Sequence, residues 1–150
     1  MSSILVKDYM QSNAPAILAD ASVSEVVEYL LKWGLASAPV VDQQRNLIGF
    51  VSEQDCIKDL LNSAFYAEDC CSVTRIMRRD VLCVTPDTSI LELAETMLGN
   101  KPKSYPVVEQ GKLVGLINRR QILQALYDNN EAYFPLKQHS SKFAFRPTGV

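Results

Sequence analysis

The chain has 150 residues, of which 47% are hydrophobic and 21% charged, and its formal net charge is −2. This balance is typical of a globular protein large enough to bury a core. The negative net charge argues against a nucleic-acid-binding surface, which needs a basic stripe. No apolar run approaches the roughly 18 residues of a membrane span.

The sequence repeats itself. Pro39-Val40-Val41-Asp42 recurs 67 residues later as Pro106-Val107-Val108-Glu109. The same offset pairs Val6 with Val73, Met10 with Met77, Ser22 with Ser89, and Glu25 with Glu92. A repeat of this length is typical of a supersecondary unit that buries its apolar face against a second copy. We therefore expect two packed halves with a ligand cleft between them.

Each half is predicted to run strand, helix, strand, strand, helix, which makes the fold class α+β with two βαββα repeats. The first strand is 16–18, and the capping boxes Ser22–Glu25 and Ser89–Glu92 begin the first helix of each half. Apolar residues then recur at helical spacing, at Val23, Val26, Val27, Leu30 and Leu31, and at Ile90, Leu93, Ala94, Met97 and Leu98. Gly34 and Gly99 are expected to end these helices.

Two β-branched runs across a short polar turn then predict a hairpin in each half, formed by Pro39–Val41 with Leu47–Val51 and by Pro106–Val108 with Leu113–Ile117. The last helices carry Cys56, Ile57, Leu60 and Leu61, and Ile122, Leu123 and Leu126.

The remaining segments connect or extend the halves. Val6–Met10 and Val73–Met77 are each expected to form one helical turn that docks on the opposite half. The predicted domains are 4–62 and 73–128, with a linker at 63–72 and a tail at 129–150. The tail is too aromatic to be inert, so we expect it to pack on its own domain, a second subunit or a partner. Its aromatic residues are Tyr133, Phe134, Phe143 and Phe145.

The four cysteines and one histidine match no zinc spacing, so no metal site is expected. Adjacent Cys70 and Cys71 are interpreted as reduced thiols, with redox sensitivity as the alternative. Met1–Asp8 lacks the basic and apolar regions of a secretory signal, which favours a cytoplasmic protein.

The sharpest local motif is Gly49–Asp55. A strand ends there, Ser52 stands at the N-cap of the next helix, and Asp55 lies in its first turn. A serine with an acid three residues later satisfies free backbone amides. The same helix end also suits an anion, and Asp55 can accept two hydrogen bonds from a ribose diol. Capping and sugar binding are therefore both open.

The second half carries Asn118 and Gln121 at the corresponding positions. This pair can still form a capping box, so both halves can cap the helix. Only the first half has a carboxylate at this position. That difference favours a sugar-binding role for Asp55.

Arg119 and Arg120 oppose the dipole of their helix, at a cost of roughly 0.3–1 kcal/mol each. A phosphate lying between them and the Ser52 turn would reverse that cost, whereas solvated surface arginines are the alternative. Lys101 and Lys103 are weaker phosphate candidates. No catalytic constellation is present: no histidine stands ready to activate a nucleophile, and there is no glycine-rich phosphate loop, so an enzyme is not expected.

The duplicated capped helix, Pro-Val-Val-acid strand and Gly-apolar-apolar-Ser-x-x-Asp motif resemble the CBS domain. Roughly residues 4–127 resemble a tandem pair, called a Bateman module. The resemblance implies two repeats packed about a pseudo-two-fold axis, with clefts for AMP, ADP, ATP or another adenosyl ligand. It implies no required cofactor, and it implies frequent homodimers.

By this resemblance Asp55 holds the ribose and Ser52 lies near the phosphates. Main chain near Ile17, together with Ala38 and Pro39, would line the adenine pocket. The second copy departs from the motif, so we expect one good nucleotide site per chain.

Two functions follow as hypotheses. The first is a regulatory module that senses adenosine nucleotides and signals to a separate protein partner. The alternative is an interaction or dimerisation module that binds no ligand and acts through its surface and aromatic tail.

Overall fold

The computed structural model describes residues 3–66 and 72–130. The predictions about Cys70, Cys71 and the aromatic tail lie outside the described residues. The chain forms an α+β fold of two repeats, as predicted. Its helices are α1 (Val23–Trp33), α2 (Glu53–Tyr66), α3 (Val73–Ile76), α4 (Ile90–Thr96) and α5 (Arg119–Asp128). Its strands are β1 (Ile17–Leu18), β2 (Ser37–Val41), β3 (Leu47–Ser52), β4 (Ser104–Glu109) and β5 (Lys112–Asn118).

Each repeat is built on a small sheet. In the first, β1 pairs in parallel with β2, and β2 pairs antiparallel with β3. In the second, β4 and β5 form the predicted hairpin, and Val84 makes a parallel bridge to Val107. That bridge is the counterpart of the Ile17–Val40 pair in β1 and β2. The duplication in the sequence is therefore a duplication of strand register.

The segments that precede the repeats are exchanged between them, as predicted. Val6–Asp8 forms a 3₁₀ turn, and its Val6 is fully buried in the core of the second repeat. Val73 and Met77, in and after α3, are buried in the core of the first. The first core consists of Ile17, Val26, Leu30, Ala38, Val40, Val51, Cys56, Val73 and Met77. The second consists of Val6, Ile90, Leu93, Met97, Tyr105, Val107, Ile117, Ile122 and Ala125.

The exchange is also made through the backbone. Gln11 donates to Leu116 at 2.8 Å and accepts from it at 3.1 Å. Arg78 donates to Phe50 at 2.8 Å and accepts from it at 2.9 Å. The segment before each repeat thus adds a bridge to the outer strand of the other repeat. This pairing fixes Arg78 beside the strand that leads to Ser52.

Two glycines make room for the exchanged segments. A Cβ on Gly49 would overlap the Met77 side chain and lie 2.9 Å from the Arg78 carbonyl oxygen. A Cβ on Gly115 would lie 2.7 Å from Met10 Sδ. Neither contact distance is tolerated by a real side chain, so the two glycines permit the close approach of the crossing methionines.

The helix caps agree with the sequence in the first repeat and differ in the second. The capping box at Ser22 is complete, and Gly34 ends α1 with φ +62°. At Ser89 the structure shows one half of the predicted box, a 3.4 Å bond from the Glu92 amide. Helix α4 ends at Thr96 with Met97 as its C-cap, so Gly99 does not cap the helix, contrary to the prediction, and lies in the following turn.

Part of the predicted apolar helix faces is exposed to solvent. Leu31 is 76% exposed, and its counterpart Leu98 is 74% exposed. The helices that close the repeats show the same pairing, because Ile57 matches Leu123 and Leu61 matches Tyr127, all more than half exposed. Helix α2 also continues to Tyr66, past residue 62, where the linker was expected to begin.

Candidate functional site

A cleft of about 990 Å³ lies between the repeats, at the end of β3 and the start of α2. The first repeat contributes the turn that joins these two elements and the start of β2. The second contributes the segment after α3, the loop before β4 and the start of α5. The lining residues are Ala36, Ser37, Phe50, Ser52, Glu53, Gln54, Asp55, Arg78, Asp80, Val81, Leu82, Lys101, Pro102, Lys103, Ser104, Asn118, Arg119 and Arg120.

Ser52 and Asp55 form a reciprocal cap at the start of α2. The Ser52 amide and hydroxyl each donate to Asp55 Oδ2 at 2.9 Å, and the Asp55 amide donates to Ser52 Oγ at 3.2 Å. The capping interpretation of this motif therefore holds in the structure. It uses one carboxylate oxygen, Oδ2, and leaves Oδ1 for another contact.

That contact is made by Arg78, a residue that no sequence motif indicated. Its Nε lies 3.7 Å from Asp55 Oδ1, and the Asp55 side chain is 15% exposed while Arg78 is 66% exposed. The backbone pairing of Arg78 with Phe50 holds it in place. The ion pair joins residues of the two repeats. Its only sequence signal was the predicted docking of 73–77 on the first repeat, since Arg78 is the next residue.

Four further cations line the cleft from the second repeat, namely Lys101, Lys103, Arg119 and Arg120. All four are exposed. The Arg119 amide donates to the Lys103 carbonyl oxygen at 3.0 Å, which brings the loop before β4 against the first turn of α5. Within residues 3–66 and 72–130, none of the four makes an ion pair.

The structure brings Ser52, Asp55, Arg119 and Arg120 together on one cleft, as the sequence predicted.

It does not place Ile17, Ala38 and Pro39 there. Ile17 is 5% exposed and Ala38 fully buried, and both pack in the core of the first repeat, while Pro39 is also fully buried. The resemblance implied that main chain near Ile17, together with Ala38 and Pro39, lines the adenine pocket, and that role stays a prediction. Because the flanking segments are exchanged, residues of the second repeat, among them Val81 and Leu82, complete the Asp55 cleft.

The corresponding turn of the second repeat has the same hydrogen bonds without a charge. The Asn118 amide donates to Gln121 Oε1 at 3.0 Å, and the Gln121 amide donates to Asn118 Oδ1 at 3.0 Å. Gln11, bonded to Leu116, stands where Arg78 stands in the first cleft. The second turn therefore offers amides in place of an ion pair.

Two cysteines lie in or beside elements that form the cleft, Cys56 in α2 and Cys83 next to Leu82. Burial, with a smaller contribution from Asp55 and Asp59, raises the pKa of the Cys56 thiol, so this thiol stays protonated at neutral pH. Cys83 is free and exposed. Among residues 3–66 and 72–130 no cluster of histidine, cysteine and acidic side chains could hold a metal ion. Over the same ranges, every helix is too short or too polar to span a bilayer.

Comparison with known protein families matches two stretches, 6–62 and 73–128, and each matches the CBS domain. These stretches are the two structural repeats. They cover most of the chain, and the match does not depend on the cleft.

Relatives of known sequence and structure agree with this match. "Uncharacterized protein MJ1225" of Methanocaldococcus jannaschii is 30% identical over 81% of this chain, which spans 42% of that protein's length. CBSX2, a CBS-pair protein of Arabidopsis thaliana solved in complex with AMP, is 26% identical with a TM-score of 0.73, over 83% of this chain and 96% of that one. The CBS domain pair of MJ0100, solved with 5-methylthioadenosine and S-adenosyl-L-methionine, shares the fold at 22% identity and a TM-score of 0.71, over 85% of this chain and 99% of that one.

Proposed function

Because the chain belongs to the CBS-domain family and carries two such domains in tandem, we propose that it is a regulatory module that binds an adenosine nucleotide in the Asp55 cleft. The observation that carries the proposal is the position of Asp55. One of its carboxylate oxygens caps α2, and the other lies 3.7 Å from Arg78 Nε on the wall of a cleft of about 990 Å³. That volume is at the upper end of ordinary ligand pockets.

The proposed roles follow from the groups on the cleft wall. Asp55 Oδ1 accepts hydrogen bonds from the ribose diol, and the Ser52 turn with Arg119 and Arg120 faces the phosphates. Asn118 and Gln121 carry no charge, so the second turn does not hold a ribose in the same way. This predicts one nucleotide per chain. The AMP complex of CBSX2, a CBS-pair protein 26% identical to this chain, supports an adenosine ligand.

Calorimetric titration of ligand-stripped protein with AMP, ADP, ATP and S-adenosylmethionine tests this function. We expect saturable binding near one site per chain. Asp55→Ala should weaken that binding because it removes the ribose acceptor, and Gln121→Ala is the matched control that should leave it unchanged. Thermal unfolding of each variant checks that the fold is retained. Absence of binding with all four compounds would disprove the function.

In this proposal ligand occupancy is signalled to a separate protein partner in the cytoplasm, and the chain performs no catalysis of its own. The protonated Cys56 thiol and the free Cys83 are compatible with a reducing compartment.

Exposed apolar side chains support the second candidate function, an interaction module that forms a homodimer. Apolar side chains are exposed at matched positions of the two repeats, at Leu31 and Leu98, Ile57 and Leu123, and Leu61 and Tyr127. A two-fold dimer places the same patch of both copies in contact, and a surface that is itself duplicated can meet a second copy through both repeats at once. Sedimentation velocity of the wild type and of Ile57→Glu/Leu123→Glu tests this, and a monomeric wild type would rule it out.

A further inference from the structure

The charges on the cleft are unlike those of the chain. The chain has a formal net charge of −2. The cleft is lined by three acidic residues, Glu53, Asp55 and Asp80, and by five cations, Arg78, Lys101, Lys103, Arg119 and Arg120. Since Arg78 and Asp55 face each other, the remaining charge of the wall comes from four cations and two acids. The cleft therefore attracts anions on a protein that is otherwise acidic.

The four cations are concentrated on one side. All come from the second repeat, two from the loop before β4 and two from the first turn of α5. The equivalent first-turn positions of α2 are Glu53 and Gln54, which suit the positive end of a helix better. The arginines at 119 and 120 are thus unfavourable for the helix itself and lie where a ligand anion would offset that cost.

The number of cations bears on the size of the anion. A phosphate monoester carries about −1.5 to −2 at neutral pH, and each additional phosphoryl group adds about one more negative charge. Glu53 and Asp80 reduce the remaining charge of the wall to about +2, but all four cations lie on the second repeat. A triphosphate brings more negative charge and more oxygen atoms than a monophosphate and can therefore contact more of these four cations. A sulfonium ligand would bring a further positive charge beside them.

From this charge distribution we infer that the cleft prefers a nucleoside triphosphate to the monophosphate and to an adenosyl sulfonium. The inference rests on the proposed nucleotide site and specifies its ligand class. Each additional phosphate contact with an exposed cation contributes modestly, in the range of surface ion pairs. Two such contacts give a triphosphate an advantage of about tenfold over the monophosphate.

Dissociation constants of the wild-type chain for ATP, ADP, AMP and S-adenosylmethionine, measured at low and physiological salt, test the inference. We expect ATP to bind about tenfold more tightly than AMP at low salt, with ADP between them and S-adenosylmethionine weakest. The advantage of ATP should shrink as salt rises, because exposed charges are screened. Binding of AMP or S-adenosylmethionine as tight as that of ATP would overturn the inference while leaving the proposed function intact.

The double variant Arg119→Gln/Arg120→Gln locates the effect. It should reduce the ratio of AMP to ATP dissociation constants to within about threefold, because it removes two of the four cations. Lys58→Gln removes an exposed cation of α2 that does not line the cleft and should leave the ratio unchanged. An unchanged ratio in the double variant would overturn the assignment of these arginines. If no adenosine compound binds the wild type, the inference and the proposed function both fail.

Discussion

The turns at the start of α2 and α5 have the same hydrogen-bond geometry but differ in charge. Ser52 with Asp55 and Asn118 with Gln121 each exchange hydrogen bonds across three residues, at distances between 2.9 and 3.2 Å. A neutral amide pair therefore caps a helix as completely as a serine and a carboxylate. Capping explains why both turns exist and does not explain the charge on the first.

The partner of each turn changes together with the turn itself. Asp55 faces Arg78, whereas Gln11 holds the position equivalent to Arg78 beside the second turn. The acid of the first turn and the arginine that the second repeat brings to it are thus present together, and both are absent at the second turn. A charged pair between the repeats is what distinguishes the two turns.

The largest expected effect comes from making the first turn resemble the second. Asp55→Gln should lower nucleotide affinity by about tenfold, or roughly 1.4 kcal/mol, because an amide oxygen forms a weaker hydrogen bond to the ribose than a carboxylate does. The fold should be retained, since glutamine caps α5 at the equivalent position. Calorimetric titration measures the affinity.

The reverse exchange is the matched control. Gln121→Asp places a carboxylate in the second turn without the partner that Arg78 provides in the first, so the affinity of the first site should stay within about twofold. An unchanged dissociation constant in Asp55→Gln would remove the ribose role and leave Asp55 as a cap.

The glycines under the exchanged segments sharpen the comparison at the level of packing. Gly49→Ala should destabilise the protein by about 1–3 kcal/mol, because the new methyl group overlaps Met77 and approaches the Arg78 carbonyl group. Gly115→Ala should cost less, since the nearest backbone atom there, Gln11 O, is 3.1 Å away rather than 2.9 Å. Urea unfolding of both variants decides the order, and an equal or inverted order would contradict it.

The first helices of the repeats offer a smaller test. Ser22→Ala should destabilise the protein by about 1 kcal/mol, because it removes the acceptor for the Glu25 amide from a complete capping box. Ser89→Ala should cost less, since its single bond is 3.4 Å long. Thermal or urea unfolding measures both, and a larger loss at Ser89 would contradict the structural difference.

The capping box at Ser22 should also be visible in the pH dependence of stability. Hydrogen bonds from the Ser22 backbone and hydroxyl lower the pKa of Glu25. Glu25 therefore contributes fully to stability above the pKa that it has in the unfolded chain. This contribution is lost as the pH falls through the lower pKa that Glu25 has in the folded protein. Glu25→Gln should flatten the acid limb of a plot of urea midpoint against pH. An acid limb identical to that of the wild type would show that Glu25 makes no measurable contribution.

The sequence predicted those features that depend on local pattern or on the duplication. The element order, the hairpins, the box at Ser22 and the exchange of the Val73–Met77 segment all follow from short-range spacing or from the offset between the halves. The exposure of Leu31 and Leu98 does not, because helical periodicity cannot tell a core-facing position from one at the edge of an apolar stripe.

The cleft was predicted only in part. Asp55 and Arg119 were found because each stands out against its counterpart in the other repeat. Ile17, Ala38 and Pro39 came from the family resemblance and not from such a contrast, and their side chains are buried. Arg78 was missed because the cleft is assembled from segments exchanged between the repeats. The partner of Asp55 is therefore decided by tertiary pairing. The residues next to Asp55 in the sequence do not indicate that pairing.

The exchange of the leading segments has a consequence for how the chain folds. The amide of Val6 bonds to Thr88, and that of Gln11 bonds to Leu116, so the leading segment pairs with residues 82 and 105 positions further along the chain. Contacts between such distant positions raise the contact order and slow folding. Neither repeat can close its core from its own residues alone, because one lacks Val73 and the other lacks Val6. The two repeats should therefore unfold in a single cooperative transition. Proteolytic cleavage after Gln11 should destabilise the core of the second repeat, because it releases the segment that carries Val6.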